Sequence, residues 1–350
     1  MTSLTWQQKL LPTQANNWVK YMAYAIVIAN IGLIISGGIV RLTGSGLGCD
    51  TWPRCTSEGS WTTTPEMGIH GVVEFGNRLL TFVLTAITVL TFLSIVRLVL
   101  PEMGSFKELL PKLLTGLRAS QHRYADLFNL TLLLLWGIPL QAVVGGISVW
   151  LKLNPWMITA HYYLSAIMIA LASIYLNRVL RYFFSQDQQR KELEVHDLEA
   201  SSTLKFLGLT SLLLLAFLVF MGTVTTGTGP HAGDPAAHRH AFDPWLVTRM
   251  HSLAVWAYAL LTLASFFLLK KYAWPASMKR QLAYLAVIML FQGLVGYLQF
   301  FNGLPVWLVE LHLIGSGLFI WAATALGEKQ LVLASKNARA KALTRISLKS

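Results

Sequence analysis

Four histidines and one glutamate lie within or at the edge of long apolar stretches of this 350-residue chain. They are His70, Glu74, His161, His251 and His312. An imidazole can bind a transition metal through a ring nitrogen, and a carboxylate can accept or deliver a proton. Because ionisable groups are costly in apolar surroundings, such residues usually mark functional sites. The elements that position these five side chains are therefore the first question.

The composition is that of an integral membrane protein. Hydrophobic residues make up 54% of the chain and charged residues only 13%, well below the share in soluble domains. Eight segments are long and apolar enough to form helices that cross a bilayer, which takes about 20 residues. They are predicted near 22–42, 70–99, 125–150, 157–180, 204–226, 246–269, 282–301 and 306–327.

The distribution of basic residues predicts the orientation. Most Lys and Arg residues lie at the two termini and in alternate connections, near 100–124, 181–205 and 270–281. The other connections contain only Arg54, Lys152 and Arg239. Because cytoplasmic loops carry the excess of positive charge, both termini are predicted to be cytoplasmic. The net charge of +12 therefore reflects membrane topology and does not indicate nucleic-acid binding. Four tryptophans then fall at the outer ends of spans: Trp150, Trp156, Trp245 and Trp307.

The chain also contains an internal repeat. At a shift of 151 residues, five positions of the first half coincide with identical residues of the second: Gln141, Gly145, Trp156, His161 and Ser165 with Gln292, Gly296, Trp307, His312 and Ser316. The predicted fold class is therefore an all-α integral membrane protein with eight transmembrane helices in two pseudo-symmetric four-helix bundles. The halves are predicted at 1–185 and 203–350, joined by a cytoplasmic linker over 186–202.

Three of the histidines are predicted to lie at a similar depth. At 1.5 Å per residue, His161, His251 and His312 each lie roughly 7–11 Å below the outer end of their helix. A single histidine inside a membrane is more often a hydrogen-bond partner between helices than a ligand. The matched depth on repeated helices favours iron ligation, since imidazoles from facing helices commonly hold haem iron. We predict a bis-histidine haem between His251 and His312.

The first half lacks the matching pair of histidines. Its His161 is present, but at a shift of 174 residues Asn77 takes the place of the second-half ligand, and asparagine is not a useful haem ligand. His70, Glu74 and Asn77 share one helix face. Glu74 has two interpretations. It forms a salt bridge with Arg78, four residues later, and only stabilises the site, or it is a carboxylate poised near a bound substrate for proton transfer.

Cys49 and Cys55 lie in the glycine-rich connection after the first span, on the predicted outer and oxidising side. A disulfide that closes this loop is the favoured state. The alternative is a redox-active dithiol that passes electrons or attacks a substrate. The matching loop of the second half has no cysteine, so both a structural and a redox role stay open.

Several motifs together carry a family resemblance over nearly all eight segments. They are Thr43-Gly44-Ser45-Gly46-Leu47-Gly48-Cys49 with Trp52-Pro53 and Cys55, Glu74-Phe75-Gly76-Asn77-Arg78, the histidines His161, His251 and His312, and Thr226-Gly227-Thr228-Gly229-Pro230-His231-Ala232-Gly233-Asp234. With these motifs the chain resembles the haem A synthases, a bacterial and mitochondrial family that converts haem O to haem A.

The resemblance implies an oxidoreductase of the bacterial cell membrane. Such an enzyme oxidises a methyl group of haem O to a formyl group by successive hydroxylations, with water as the oxygen source, and supplies haem A to terminal oxidases. The resemblance implies haem b as cofactor on His251 and His312, and haem O as substrate in the first half. His161 would face the substrate iron, and Glu74 would be the catalytic carboxylate. The two cysteines match the outer-loop pair of the family.

Asn77 departs from the family pattern, which commonly has a histidine three residues after the glutamate. Either His70 takes the ligand role from two turns away, or the substrate iron keeps an open site. We favour His70 near the iron, with Arg78 in the same substrate-haem region, although about 10 Å of helix separates His70 from Asn77.

Two other functions are compatible with the histidines. A dihaem b-type cytochrome that exchanges electrons with quinone would explain the histidines, but not the Glu74 motif or the cysteine loop. A haem transporter or chaperone would explain ligands near the outer face, but needs no internal haem b. By resemblance, the expected partners are a haem O synthase and a terminal oxidase, with membrane lipid around the chain, a quinone as candidate electron acceptor and no nucleic acid.

Overall fold

The chain is helical over most of the residues that the computed structural model describes, which are 10–101, 106–118, 122, 124–184, 198–271, 274 and 276–347. The helices are α1 Asn17–Leu42, α2 Gly68–Val99, α3 Phe106–Thr115, α4 Ala125–Trp150, α5 Pro155–Val179, α6 Leu198–Thr228, α7 Pro244–Lys271, α8 Ala276–Phe301 and α9 Val306–Ser347. A short 3₁₀ turn, Pro65–Met67, precedes α2, and α5 continues as a π-helix over Leu180–Phe184. Residues 186–197 of the predicted linker over 186–202 lie outside the described residues, and its last five residues belong to the start of α6.

The eight predicted spans are confirmed, because the described part of the chain contains eight helices that are long and apolar enough to cross a membrane. Two of these helices begin earlier than predicted: α1 begins at Asn17 rather than near 22, and α5 begins at Pro155 rather than near 157. A side-chain cap at the first turn explains each start. The Asn16 side chain accepts a hydrogen bond from the Val19 amide at 3.2 Å, and the Asn154 side chain accepts one from the Trp156 amide at 3.0 Å. Such caps satisfy amides that have no partner within the helix. Helix α9 runs well past the predicted end near 327 because the tail is rich in helix-forming Ala, Lys and Arg.

The described residues divide into two compact units, called unit 1 and unit 2. Unit 1 contains the described residues up to Phe184, together with the segment His231–His238. Its four long helices pack in a cyclic order, with α1 against α2, α2 against α4, α4 against α5, and α5 against α1. Each helix therefore buries two stripes against neighbours and leaves one face outward.

Unit 2 contains the remaining described residues of the second half. Its helices repeat the same cyclic order, with α6 against α7, α7 against α8, α8 against α9, and α9 against α6. The matching order of contacts agrees with the internal repeat that the sequence shows.

Large apolar side chains face outward along most of the spans, as a lipid-exposed surface requires. The four predicted belt tryptophans are all at least 50% exposed: Trp150, Trp156, Trp245 and Trp307. Tryptophan is enriched at membrane–water interfaces, where its indole meets both water and lipid. These positions support the predicted aromatic belt.

Candidate functional site

The connection between α1 and α2 forms a closed loop on top of α2. Cys49 and Cys55 form the predicted disulfide, and both side chains are fully buried. The Asp50 amide donates to the Cys55 carbonyl at 3.1 Å, so backbone bonds close the same short turn. The disulfide thus belongs to a packed loop, whose cysteines are not accessible from solvent in this oxidised state.

The loop backbone lies directly on the first turn of α2. A Cβ atom added at Gly48 would come within 2.2 Å of the His70 carbonyl oxygen, so only glycine fits this position. Such close backbone approach is a use to which glycine is suited. The contact fixes the loop at the point where α2 begins.

Glu74 is held by this loop. It is only 5% exposed, and its Oε2 accepts a hydrogen bond from the Cys49 amide at 2.6 Å. Its Oε1 accepts bonds from Arg78, from Nη2 at 2.5 Å and from Nε at 3.2 Å. Arg78 also donates to the carbonyl of Thr51 at 3.0 Å and to that of Arg54 at 3.2 Å. The predicted Glu74–Arg78 pair is therefore present, and it ties the carboxylate to both ends of the cysteine turn.

The geometry leaves Glu74 chemically competent. A carboxylate offers about four acceptor positions on its two oxygens, and the contacts to Cys49 and Arg78 fill three of them. Partial burial strengthens electrostatic interactions with a neighbouring group compared with water. A held carboxylate with acceptor capacity to spare can both orient a polar reactant and accept a proton.

His70 and Asn77, the other two members of this helix face, both have protein partners. His70 is exposed, and its Nδ1 lies 2.9 Å from the Ser45 hydroxyl, which is itself 2.8 Å from the Thr43 hydroxyl. Asn77 accepts a hydrogen bond from the Ser36 hydroxyl of α1 at 2.7 Å. In unit 1, helices α1 and α2 are thus joined through an amide at the position where the repeat has a histidine.

His161 faces a glycine of the neighbouring helix. A Cβ atom added at Gly145 would lie 3.0 Å from its Cε1, so the ring packs flush against the α4 backbone. Beside it, the predicted polar residue Gln141 donates to the Ser165 hydroxyl at 2.7 Å, and Ser165 in turn donates to the His161 carbonyl at 3.1 Å. These two bonds fix the helix segment that carries the histidine.

Unit 2 contains the same arrangement twice. A Cβ atom at Gly222 would lie 3.2 Å from the His251 Cε1, and one at Gly296 would lie 3.4 Å from the His312 Cε1. The second predicted glutamine, Gln292, donates to the His312 carbonyl at 3.0 Å. The helices that carry the two imidazoles, α7 and α9, both pack against α6 and against α8. His251 and His312 therefore each lie against a glycine, on helices that share the same two neighbours.

The three rings have one unpartnered nitrogen in common. In each of His161, His251 and His312 the Nδ1 atom is buried without a hydrogen-bond partner among the described residues. The Leu218 carbonyl comes near the His251 ring, but Nδ1 does not reach hydrogen-bond geometry. An unsatisfied buried polar group costs about 1–3 kcal/mol, and three such rings, each set against a glycine of another helix, indicate a common role.

This donor set fits a haem. The described residues contain no group of three or more His, Cys, Asp or Glu side chains that could hold a metal ion alone. A haem supplies four nitrogens of its own and needs only axial imidazoles, which facing helices provide. In unit 2 the Cε1 and Nδ1 atoms of His251 and of His312 are the ring atoms nearest the glycine, so Nε2 is the nitrogen left for a ligand. These two histidines are the pair that has this orientation within one unit.

Sequence reasoning missed two features of the site. Glu310 lies two residues before His312, inside a span, and both of its carboxylate oxygens are buried without a partner among the described residues. The rule that drew attention to Glu74, an ionisable group within an apolar segment, would have found it. The glycine opposite each histidine is visible in the repeat, but its contact with the ring requires the structure.

Comparison with protein families identifies the group to which this architecture belongs. The family model COX15-CtaA, described as cytochrome oxidase assembly protein, matches residues 20–324. No curated protein matches the chain closely enough to count as a relative. The matched region reaches all eight spans and contains the cysteine loop, Glu74 and the three histidines, so the resemblance seen in the sequence is confirmed at the level of the family. The chain belongs to the COX15-CtaA family of cytochrome oxidase assembly proteins.

Proposed function

We propose that this protein is a haem A synthase, which oxidises a methyl group of haem O to a formyl group. One observation carries the proposal. Buried Glu74 is held by the Cys49 amide and by Arg78, in the unit that has a single glycine-packed histidine. A dihaem cytochrome would need a pair of iron ligands in each unit and no carboxylate. The proposed enzyme would need one cofactor site and one reactive site.

We infer that the two units correspond to two pseudo-symmetric four-helix halves, 1–185 and 203–350. Their identical cyclic order of helix contacts supports this. From the distribution of Lys and Arg, we place both termini in the cytoplasm and the cysteine loop outside a bacterial cell membrane. The loop disulfide agrees with that placement, because disulfides persist on the oxidising side.

His251 and His312 would hold haem b in unit 2. Their unpartnered rings, each set against a glycine, are the observation that fits this ligand. When bound, haem b would supply one-electron redox chemistry. Gln292 fixes the backbone at His312 and so holds one imidazole in place.

The residues of unit 1 would bind and orient haem O. Conversion of the methyl group to a formyl group consumes one water and releases four protons and four electrons overall. His161 would face the iron, while Glu74 would orient water and accept protons near the methyl group. Arg78 keeps the carboxylate in place, and His70 stands at the exposed edge of the same face. The electrons would leave towards an acceptor in the membrane, for which a quinone is the candidate.

The cysteine pair would brace the site. The Cys49 amide is one of the donors that hold Glu74, so a closed turn fixes the carboxylate. This supports the structural interpretation of the disulfide over a dithiol that shuttles electrons.

Expression in a host that makes haem O but not haem A tests the proposed function. Pigment extraction should reveal haem A, with a host carrying Glu74→Ala as the matched control. The glycine contact of His161 is the one observation that favours a dihaem cytochrome, since it matches both ligands of unit 2. Haem b spectra without haem A would favour that cytochrome, and neither pigment would favour a transporter or chaperone.

A further inference from the structure

A small cavity with a mixed polar and apolar lining lies inside unit 2, and no histidine lines it. It has about 10 Å³ of room for the centre of a water molecule. Five leucine side chains form part of the lining, and the polar part consists of Ser211, Tyr258, Thr262, Ser265 and Gln330. The cavity therefore brings polar groups of α6, α7 and α9 around one enclosed space.

The polar groups around the cavity do not satisfy all of each other's hydrogen-bonding capacity. The Ser211 and Tyr258 hydroxyls lie 2.6 Å apart, and when one donates to the other, one hydroxyl hydrogen is left over. Thr262 and Ser265 donate to backbone carbonyls of their own helix, those of Tyr258 and Leu261. Gln330 is 1% exposed, and its Oε1 has no partner among the described residues. One hydroxyl donor and the Gln330 acceptor thus remain among the groups that line this space.

The size and polarity of the space indicate its occupant. A cavity of roughly 10–15 Å³ by this measure is enough for one water, provided that two to four polar groups face it. Cavities that stay empty are lined by apolar groups alone. Leaving the Gln330 oxygen unsatisfied would cost unfolding free energy that a bridging water recovers.

We propose that this cavity binds one structural water molecule, which donates to Gln330 Oε1 and accepts from the Ser211–Tyr258 hydroxyl pair. Tyr258 follows His251 by seven residues, so the water lies about two turns further along the same face of α7. It joins α9 to α6 and α7 through side chains that do not bond to each other directly. The inference does not depend on the proposed function, because it rests on the apoprotein alone.

A structure of the full-length protein in lipid nanodiscs, at a resolution that shows ordered waters, is the first test. Density is expected within hydrogen-bond distance of Gln330 Oε1 and of one of the two hydroxyls. A cavity without density, or a direct bond from Gln330 to Tyr258, would overturn the proposal.

A double-mutant cycle on thermal unfolding is the second test, and it uses Gln330→Met and Tyr258→Phe, which nearly conserve volume. If one water joins the two residues, either change releases it, so the lowering of Tm in the double variant should be less than the sum of the single effects. As a matched control, Gln281→Met removes a glutamine whose Oε1 is also unpartnered but lies outside the cavity lining. Its effect should add to that of Tyr258→Phe.

Additive effects in the Gln330 cycle would show that no water couples the two residues. If Tyr258→Phe does not give folded protein, Ser211→Ala replaces it in the same cycle, because Ser211 is the other member of the hydroxyl pair.

Discussion

The two units share a cyclic order of helices but carry different polar residues on them. Unit 2 places two histidines on α7 and α9, each against a glycine, at Gly222 and Gly296. Unit 1 keeps one such contact, between His161 and Gly145, and replaces the other with Asn77 bonded to Ser36. A symmetric pair of imidazoles suits a permanently bound cofactor, whereas a site with one imidazole leaves room for a ligand that must enter and leave.

The loops differ in the same sense. The connection after α1 carries a disulfide that fixes Glu74 through the Cys49 amide. The connection after α6 has no cysteine, and its residues His231–His238 group with unit 1. In the proposed function, these differences in loop and ligands between two similar helical frames would distinguish the reactive site from the redox site.

The largest expected effect comes from breaking the pair in unit 2. His251→Ala or His312→Ala should abolish the bis-histidine haem b spectrum of the purified protein, because an axial ligand is lost. Absorption spectra of the reduced protein measure this. His238→Ala, at an exposed loop position, is the control and should leave the spectrum unchanged. An intact haem b spectrum in both ligand variants would remove the distinction between the two units.

Glu74→Ala should separate the two sites by affecting unit 1 alone. We expect a normal haem b spectrum with haem A formation lowered at least about 100-fold, a usual effect of losing an acid–base group. Chromatography of extracted haems measures the product. Glu66→Ala, an exposed glutamate just before α2, is the matched control and should keep activity. Normal haem A yield in the Glu74 variant would leave the Arg78 pair as a structural salt bridge.

The sequence predicted the spans, the repeat and the ligand candidates because apolar length and spacing are local properties. The Cys49 amide bond to Glu74 could not be predicted, since it depends on how the loop folds back onto α2. The Ser36–Asn77 bond was missed for a similar reason: it joins two helices, and spacing within one helix does not reveal it. Glu310 could have been predicted, because it is an ionisable residue within an apolar segment, which is the pattern that pointed to Glu74.

Cys49→Ala should reduce haem A formation by less than Glu74→Ala does. The loop would lose its covalent closure, but the Gly48 contact with α2 would remain to hold the backbone. Cys55→Ala should have the same effect, because both variants lose one shared disulfide. Complete loss of product in either variant, with haem b retained, would indicate a redox role for the thiols.

Asn77→His tests whether unit 1 can be made to resemble unit 2. The change removes the Ser36 bond and introduces an imidazole at the repeat position of His251. We expect more haem to copurify per protein and turnover to slow, because the substrate would be held by two ligands. Haem content by pyridine haemochrome assay measures the first effect. A lowered haem content would show that the asparagine itself is needed for binding.

The smallest effects are expected from replacing by alanine the glycines that lie against the histidine rings. Gly222→Ala places a methyl group 3.2 Å from the His251 ring, and Gly296→Ala places one 3.4 Å from His312, so the first should shift the haem b spectrum more. Overpacking of this kind costs about 1–3 kcal/mol. Gly293→Ala, on the same helix as Gly296 but with open space around it, is the control. Equal effects at Gly293 and Gly296 would contradict the importance of the ring contact.

The segment His231–His238 also bears on how the protein is made. Within unit 1, the Gly46 amide donates to the Gly233 carbonyl at 2.8 Å, and Arg41 donates to the His231 carbonyl at 2.7 Å. Leu153 packs with Ala232 and Ala237. During synthesis, α1, α2, α4 and α5 leave the ribosome before this segment exists. The loop that holds Glu74 therefore acquires its last neighbours only after α6 has been inserted, and unit 1 matures later than its place in the chain suggests.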